Sequence, residues 1–202
     1  MGRDKGWVTI NMTPQQFINL LQKSQQDIEQ AVRRTLPIKI GRKATDHFKQ
    51  NFRRGGFQNR GLKKWKQTRR QMANGKDSQY GPLMSRRERL ARSIRYIPAS
   101  AAVTITTAVP YAAIHNQGGY ISTHPRVTRQ MRKFAWRRFF EAGGNKSKTA
   151  EAQKWKALAL TKKQRLDIKA HIPQRQFIGD SHELNQNIKK EIENEIHKII
   201  NQ

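Results

Sequence analysis

The sequence has no cysteine among its 202 residues. Disulfide bonds, zinc sites with thiolate ligands and cysteine nucleophiles are therefore all excluded. Acidic residues are also scarce, since 14 Asp and Glu stand against 41 Lys and Arg and leave a formal net charge of +27. Such an excess of positive charge favours polyanionic partners or strongly acidic protein surfaces.

Long apolar runs are missing as well. No stretch reaches the roughly 18 apolar residues that predict a transmembrane helix, and the N-terminus lacks the apolar core of a signal peptide. The apolar content of 35% is enough for a modest hydrophobic core. We therefore expect a soluble protein made in the cytosol, with one domain or one domain carrying an insertion.

The positive charge is concentrated in one block. Residues 33–95 hold 20 Lys and Arg against 3 Asp and Glu. Within this block, residues 53–82 combine many cations with few apolar anchors, which predicts a long, basic and partly mobile loop. We expect it either to contact DNA or an acidic partner or to be a solvated loop that keeps the protein soluble; the candidate contact residues are Arg53, Arg54, Arg60, Lys63, Lys64, Lys66, Arg69 and Arg70.

Periodic apolar residues predict helices at both ends of the chain. After a short strand around Val8, Thr13-Pro14 is typical of an N-cap followed by proline in the first turn, and Pro37 should interrupt or restart the helix that follows. A second helix is predicted from about Pro37 to Phe52, ending at Gly55-Gly56. The C-terminal helix has an apolar stripe formed by Leu184, Ile188, Ile192, Ile196 and Ile199 or Ile200.

The middle of the chain shows strand patterns. A short helix over Ser85–Ile94 precedes two alternating β-branched segments, Arg95–Ile97 and Ala102–Val109, which predict an antiparallel pair. One helical turn should follow Pro110 and end at the paired glycines.

Residues 127–141 predict an aromatic, basic helix. Residues 151–172 fit either one helix or a hairpin, and apolar residues with a period of two favour the hairpin. The predicted fold is α+β, with N-terminal helices, a central antiparallel β-sheet, a C-terminal helix and the long basic loop. We expect a single domain over residues 1–202, with a helical and hairpin insertion at about 127–171.

Two histidines, His115 and His124, lie in the segment Tyr96–Pro125, which has no Lys, Arg, Asp or Glu. A catalytic or metal-binding role requires partners, yet the histidine spacings typical of zinc sites and a recognisable carboxylate pair are both missing. We therefore expect no enzymatic activity, metal or cofactor. The stretch VPYAAIHNQGG is interpreted as a corner between a strand and a turn, where His115 makes hydrogen bonds to its surroundings.

Several segments occur together in a familiar order. LARSIRY (90–96), VPYAAIHNQGG (109–119) and IPQRQFIGDS (172–181) precede the terminal helix. This order resembles the phage virion morphogenesis family, the Mu protein G-like and tail completion group. Two departures are Arg87-Glu88, where the family usually has Thr-Gly, and Gln176, where a proline is usual. The signature residues, which the resemblance implies are structural, are Trp65, Pro110, Tyr111, His115, Gly118, Gly119, Pro173, Arg175, Phe177 and Gly179.

The resemblance implies a structural protein of a tailed phage or prophage that completes the tail or joins head and tail. It implies a homo-oligomeric ring that contacts connector or portal-side proteins and tail tube or tail terminator proteins, with possible nonspecific contact to packaged DNA. The protein would be assembled in the bacterial host cytoplasm and reside in the neck or tail of the virion, without a membrane. The alternative is a nonspecific nucleic-acid-binding protein whose primary site is the basic block.

Overall fold

The structure is a computed structural model that describes residues 12–72 and 75–201. The chain forms two compact units. Of the described residues, those up to 117 and those from 175 onward form the first unit, and those from 118 to 174 form the second. The strand predicted around Val8 lies outside the described residues.

The first unit begins with a long helical segment. Helix α1 (Pro14–Gln30) starts with Thr13 as its N-cap, as predicted, and the structure adds a reciprocal capping box between Thr13 and Gln16. A π-helical turn (Ala31–Thr35) leads directly into α2 (Leu36–Arg54). Pro37 lies in the first turn of α2, directly after the π-helical turn, and the helical path continues through it. Gly55 ends α2 in the left-handed conformation (φ +66°).

Short elements fill the rest of the first unit. The predicted loop at 53–82 is partly wrong, because β1 and β2 form an antiparallel hairpin there and a short helix α3 follows. Burial of Phe57 and Trp65 supplies the anchoring that a free loop would lack. The elements are β1 (Gly56–Gln58), β2 (Leu62–Lys64), α3 (Arg69–Met72), α4 (Arg89–Ser93), β3 (Ile94–Ala99), β4 (Ala102–Thr107), α5 (Ala112–Gln117) and α8 (His182–Ile200).

The core of the first unit is built on α2. Ala44, Phe48 and Phe52 lie one turn apart and are all buried, as the sequence stripe predicts. Strands β3 and β4 form the predicted antiparallel pair, and their register places Ile94 opposite Thr107. The buried cluster also includes Phe57, Trp65, Leu90, Ala91, Ile94, Val109, Ala112, Phe177 and Leu184.

Helix α8 packs along α2. Leu184 of its apolar stripe is buried in the core, while Ile188 is partly buried against it. Polar pairs extend the contact, since the Nζ atom of Lys43 lies 2.8 Å from Glu191 Oε2. The hydrogen bond from Lys43 lowers the pKa of Glu191 despite partial desolvation. The predicted C-terminal helix is therefore confirmed.

The second unit joins two helices to one strand pair. It contains β5 (Gly119–Thr123), α6 (Arg129–Glu141), a 3₁₀ turn (Gly144–Lys146), α7 (Ala150–Leu160) and β6 (Ile168–Ile172). Helices α6 and α7 bury Ala135, Phe139, Ala152 and Ala159. Strands β5 and β6 are antiparallel, with Gly119 opposite Ile172.

The hairpin predicted within residues 151–172 is wrong. Residues 150–160 are helical, and β6 pairs with β5 instead of with the preceding segment. Ala152 and Ala159, seven positions apart, lie on the same helical face and are both buried. The apolar alternation seen in the sequence therefore spans the end of helix α7 and strand β6. The partner of β6 is β5, which lies far away in the sequence.

The α+β class is confirmed. The strands of the described residues form three separate two-stranded antiparallel sheets. In the first unit, α2 packs against β1, β3 and β4, so the core there is built by contacts between a helix and small sheets and not by one large sheet.

Candidate functional site

Trp65 anchors the hairpin of β1 and β2 to the core. Its side chain is 8% exposed, and its Nε1 atom donates a hydrogen bond of 2.9 Å to the carbonyl of Gln176. The Phe52 ring lies edge-on to the indole at 5.6 Å and packs against Phe177 at 5.1 Å. Three residues that are distant in the sequence therefore form one aromatic cluster.

Asn116, which sequence reasoning missed, ties helix α5 to the segment before α8. Its Oδ1 atom accepts hydrogen bonds from the backbone N–H groups of Phe177 at 2.8 Å and Ile178 at 3.0 Å. Its Nδ2 atom donates to the carbonyl of Ile178 at 3.0 Å. One amide side chain thus satisfies three backbone groups, in the manner of a strand neighbour.

Asn51 of helix α2 also binds backbone groups of distant segments, and sequence reasoning missed this residue too. Its side chain is fully buried, donates to the carbonyl of Phe177 at 3.1 Å and accepts from the N–H of Gln58 at 3.1 Å. The only sequence signal is a polar residue directly beside Phe52 on a helix with an apolar face. A buried amide in such a position requires hydrogen-bond partners, but the sequence does not name them.

Arg175 completes this network. Its backbone N–H donates to the carbonyl of His115 at 2.8 Å. Its guanidinium donates through Nε and Nη2 to the carbonyl of Lys66, at 3.3 and 3.2 Å. Burial lowers the pKa of Arg175, which is 7% exposed. We call residues 51–52, 65, 115–116 and 175–178 the hub.

The His115 side chain differs from its prediction. Its carbonyl joins the hub, but its Nδ1 atom is buried without a hydrogen-bond partner among the described residues. The ring lies edge-on to Tyr111 at 5.8 Å. Burial lowers the pKa of His115, and the nearby charge of Arg175 lowers it further, so the neutral ring is favoured at neutral pH.

The other predicted signature residues lie close to the hub residues along the chain. Pro110 is exposed at the turn before α5. Gly118 and Gly119 have φ values of +76° and +137°, which suit glycine, and with Pro173 they belong to the second unit. Gly179 follows the hub in the chain and lies beside Gln176.

The basic residues proposed for contact are mostly exposed on the hairpin and its flanks. Arg70 is the exception, because its Nη2 atom donates to the carbonyls of Tyr80 and Gly81 at 3.1 and 2.8 Å. Arg54 also donates to Gln58 at 3.1 Å but stays exposed. In the described part of the chain, none of the eight forms an ion pair. The exposed members are Arg53, Arg54, Arg60, Lys63, Lys64, Lys66 and Arg69.

We call residues 56–66 the basic hairpin. The turn of this hairpin is fixed to the start of α8. Glu183 accepts hydrogen bonds from the Gln58 side chain at 3.2 Å and from the Gly61 N–H at 3.1 Å. Desolvation acts to raise the pKa of Glu183, but these and other backbone hydrogen bonds outweigh it and lower the pKa to about 2.

Metal and membrane sites receive no support from the described residues. Across 12–72 and 75–201, no group of three or more His, Asp or Glu side chains is placed to hold a metal ion. None of the helices in those ranges is both long and apolar enough to span a bilayer.

Comparison with known proteins bears on the whole chain. The phage virion morphogenesis family matches residues 12–197. This range contains the basic hairpin, the segments VPYAAIHNQGG and IPQRQFIGDS that contribute to the hub, and most of α8. No curated protein and no solved structure matches the chain. The chain belongs to the phage virion morphogenesis family.

Proposed function

We propose that the protein is a structural component of a tailed phage virion that completes the tail or joins head and tail as a subunit of a homo-oligomeric ring. The observation that carries this proposal is the hub, whose polar groups bind backbone groups of the same chain instead of converging on a reaction centre. Membership of a virion morphogenesis family supports the same class of function. The proposed role is therefore non-catalytic.

The basic hairpin is the surface proposed to face packaged DNA or an acidic partner protein. Lys63 and Lys64 are exposed on either side of a strand whose next residue, Trp65, is buried. The anchor and the Glu183 tether hold the charges in place before binding, so less conformational freedom is lost on contact. Lysine and arginine side chains so placed contact phosphates without reading bases.

Helix α1 offers a surface for contacts within the ring. It buries none of its residues, and Phe17, Leu20 and Leu21 are 52%, 45% and 53% exposed. Contiguous exposed apolar side chains are typical of protein–protein interfaces. We propose that neighbouring subunits, portal-side connector proteins or tail tube and terminator proteins cover this stripe in the virion.

The test is to locate the protein in purified virions of the phage or prophage that encodes it. A tagged chain should appear by low-resolution electron microscopy as a ring at the neck or the tail end. Virions in which sensitive immunodetection finds none of the protein would contradict the proposal. A double Leu20→Asp and Leu21→Asp variant should fold but fail to enter particles, whereas Gln22→Asp and Lys23→Asp, farther along the same helix, serves as its control.

The second candidate function is nonspecific nucleic-acid binding, which the exposed cations favour. Light scattering combined with DNA binding across a salt series separates the two functions. A monomer that binds DNA with a steep salt dependence, and that is missing from virions, would support this alternative.

A further inference from the structure

A cavity of about 320 Å³ lies beside the hub in the first unit. Three arginines, Arg70, Arg89 and Arg175, line it together with His115. No carboxylate side chain lines the cavity, so the described residues provide no internal counter-ion at this point. Positive charge converging on a partly enclosed space attracts anionic groups.

Two polar atoms of the lining residues lack partners. His115 Nδ1 and Arg70 Nε are both buried without a hydrogen bond among the described residues. Buried polar groups are nearly always satisfied, and those that are not need an explanation such as a missing ligand. An acceptor oxygen bound in the cavity would provide one.

The backbone along one wall is strained. Leu83 lines the cavity with φ +60°, and Glu88, just before Arg89, has φ +47°. Left-handed conformations are unfavourable for residues other than glycine, and they persist where the surrounding structure holds a functional geometry. Glu88 directs its carboxylate to Arg92, 3.7 Å away.

Besides Thr68 and Ser85, the remaining lining is apolar, with Leu83, Met84, Leu90 and the Tyr111 ring. A bare phosphate or a hydrated sugar–phosphate chain would leave these side chains without partners. An aliphatic or aromatic stem would bury them and place its charged end among the arginines.

We propose that this cavity binds a carboxylate carried on an apolar stem, as presented by an acidic peptide segment of a partner protein. The proposal concerns the cavity beside the hub and not the exposed cations of the basic hairpin. It therefore holds or fails independently of DNA contact and of ring formation. Arginine suits this role because its planar fork can hold both oxygens of a carboxylate. Arg89 is the candidate for such a contact, since Arg70 and Arg175 already donate to backbone carbonyls.

The test uses the full chain and 3-phenylpropionate as the probe. Binding should shift the His115 ring signals in NMR spectra in a saturable way, with the signals assigned through His115→Gln. A bound carboxylate should also raise the pKa of His115, because a nearby negative charge favours the imidazolium. The uncharged analogue 3-phenyl-1-propanol and inorganic phosphate should each bind at least about tenfold more weakly, as expected for losing either the charge-assisted bonds or the apolar contact.

Arg89→Gln and Arg92→Gln form a matched pair, since both remove one exposed arginine from the same short helix. Arg89→Gln should weaken 3-phenylpropionate binding roughly tenfold, and Arg92→Gln by less than about twofold. Equal losses in the two variants would show diffuse charge attraction and overturn the proposal. The lack of a saturable His115 shift would also overturn the proposal and would leave an ordered water as the partner of the buried atoms. Equal binding of phosphate would overturn it as well and would favour a nucleic-acid ligand.

Discussion

Adjacent residues of the basic hairpin have opposite environments. Trp65 is buried and hydrogen-bonded to Gln176, while Lys63, Lys64 and Lys66 around it are exposed. Even Lys66 contributes to the hub through its backbone carbonyl, which binds Arg175, and leaves its ammonium group in solvent. A single short segment thus supplies both structural anchoring and surface charge.

This difference separates stability from binding. Changes to the hub should alter the free energy of unfolding, whereas changes to the exposed cations should alter affinity for an anionic partner and leave the fold intact. The four predictions below test that separation, from the largest expected effect on stability to the smallest.

Trp65→Ala should have the largest effect. It removes the aromatic packing on Phe52 and the hydrogen bond to Gln176, and we expect a loss of about 3–5 kcal/mol in the free energy of unfolding. Chemical denaturation monitored by circular dichroism measures this loss. Trp65→Phe keeps most of the packing and should lose clearly less, so equal losses would show that the hydrogen bond and not the packing dominates.

Asn116→Ala should come next. It leaves the N–H groups of Phe177 and Ile178 without their partner, which costs about 2–3 kcal/mol when such groups are buried. Gln117→Ala changes the exposed neighbour on the same helix and should shift stability by no more than about 0.5 kcal/mol. Similar denaturation midpoints for the two variants would contradict the role assigned to Asn116.

Glu183→Gln should change how stability depends on pH. The folded-state pKa of Glu183 is lowered to about 2 from its usual 4.5, so the unfolded chain binds more protons between these values. The stabilisation is present above pH 4.5 and is lost as the pH falls towards 2. The wild type should therefore lose more stability than Glu183→Gln over this range.

Glu193→Gln, on the exposed side of the same helix, is the control for that measurement. Its stability should fall with pH as steeply as that of the wild type. If Glu183→Gln follows the same course as well, the hydrogen bonds to Gln58 and Gly61 do not hold the hairpin tip in solution.

Combined Lys63→Gln and Lys64→Gln should have the smallest effect on stability, within about 0.5 kcal/mol. The same variant should reduce the slope of log affinity for duplex DNA against log salt concentration by up to about 1.8, if both side chains contact phosphates. Lys189→Gln with Lys190→Gln removes two charges from α8 as the control. An equal change in slope for both pairs would assign DNA binding to overall charge and not to the hairpin.

The sequence predicts helices well where their signals are local. The capping box at Thr13, the stripe of Ala44, Phe48 and Phe52, and the left-handed Gly55 all act within a few residues. Helices with such stripes form wherever a core is available to cover the apolar face. The start of α1 and the bounds of α2 could therefore be read almost directly.

Prediction failed where partners are distant in the chain. The apolar alternation after residue 157 gave no sign that β6 would pair with β5, and the hairpin at 151–172 was wrong. Likewise, Asn51, Asn116 and Glu183 carry no local pattern that names their hydrogen-bond partners. A polar side chain far along the sequence becomes structural only when folding buries the backbone groups that it binds.

The sequence by itself determined the excess of positive charge, the lack of thiol chemistry, the main helices and the resemblance that the family match confirmed. Only the tertiary structure decided which residues of VPYAAIHNQGG form the hydrogen bonds of the hub and which line the cavity. Asn116 clamps the segment before α8, while His115 contributes its carbonyl and leaves Nδ1 without a partner beside a cationic cavity. The physical reason is that composition and periodicity are properties of neighbouring residues, whereas hydrogen-bond satisfaction and charge convergence depend on groups that meet only in the folded chain.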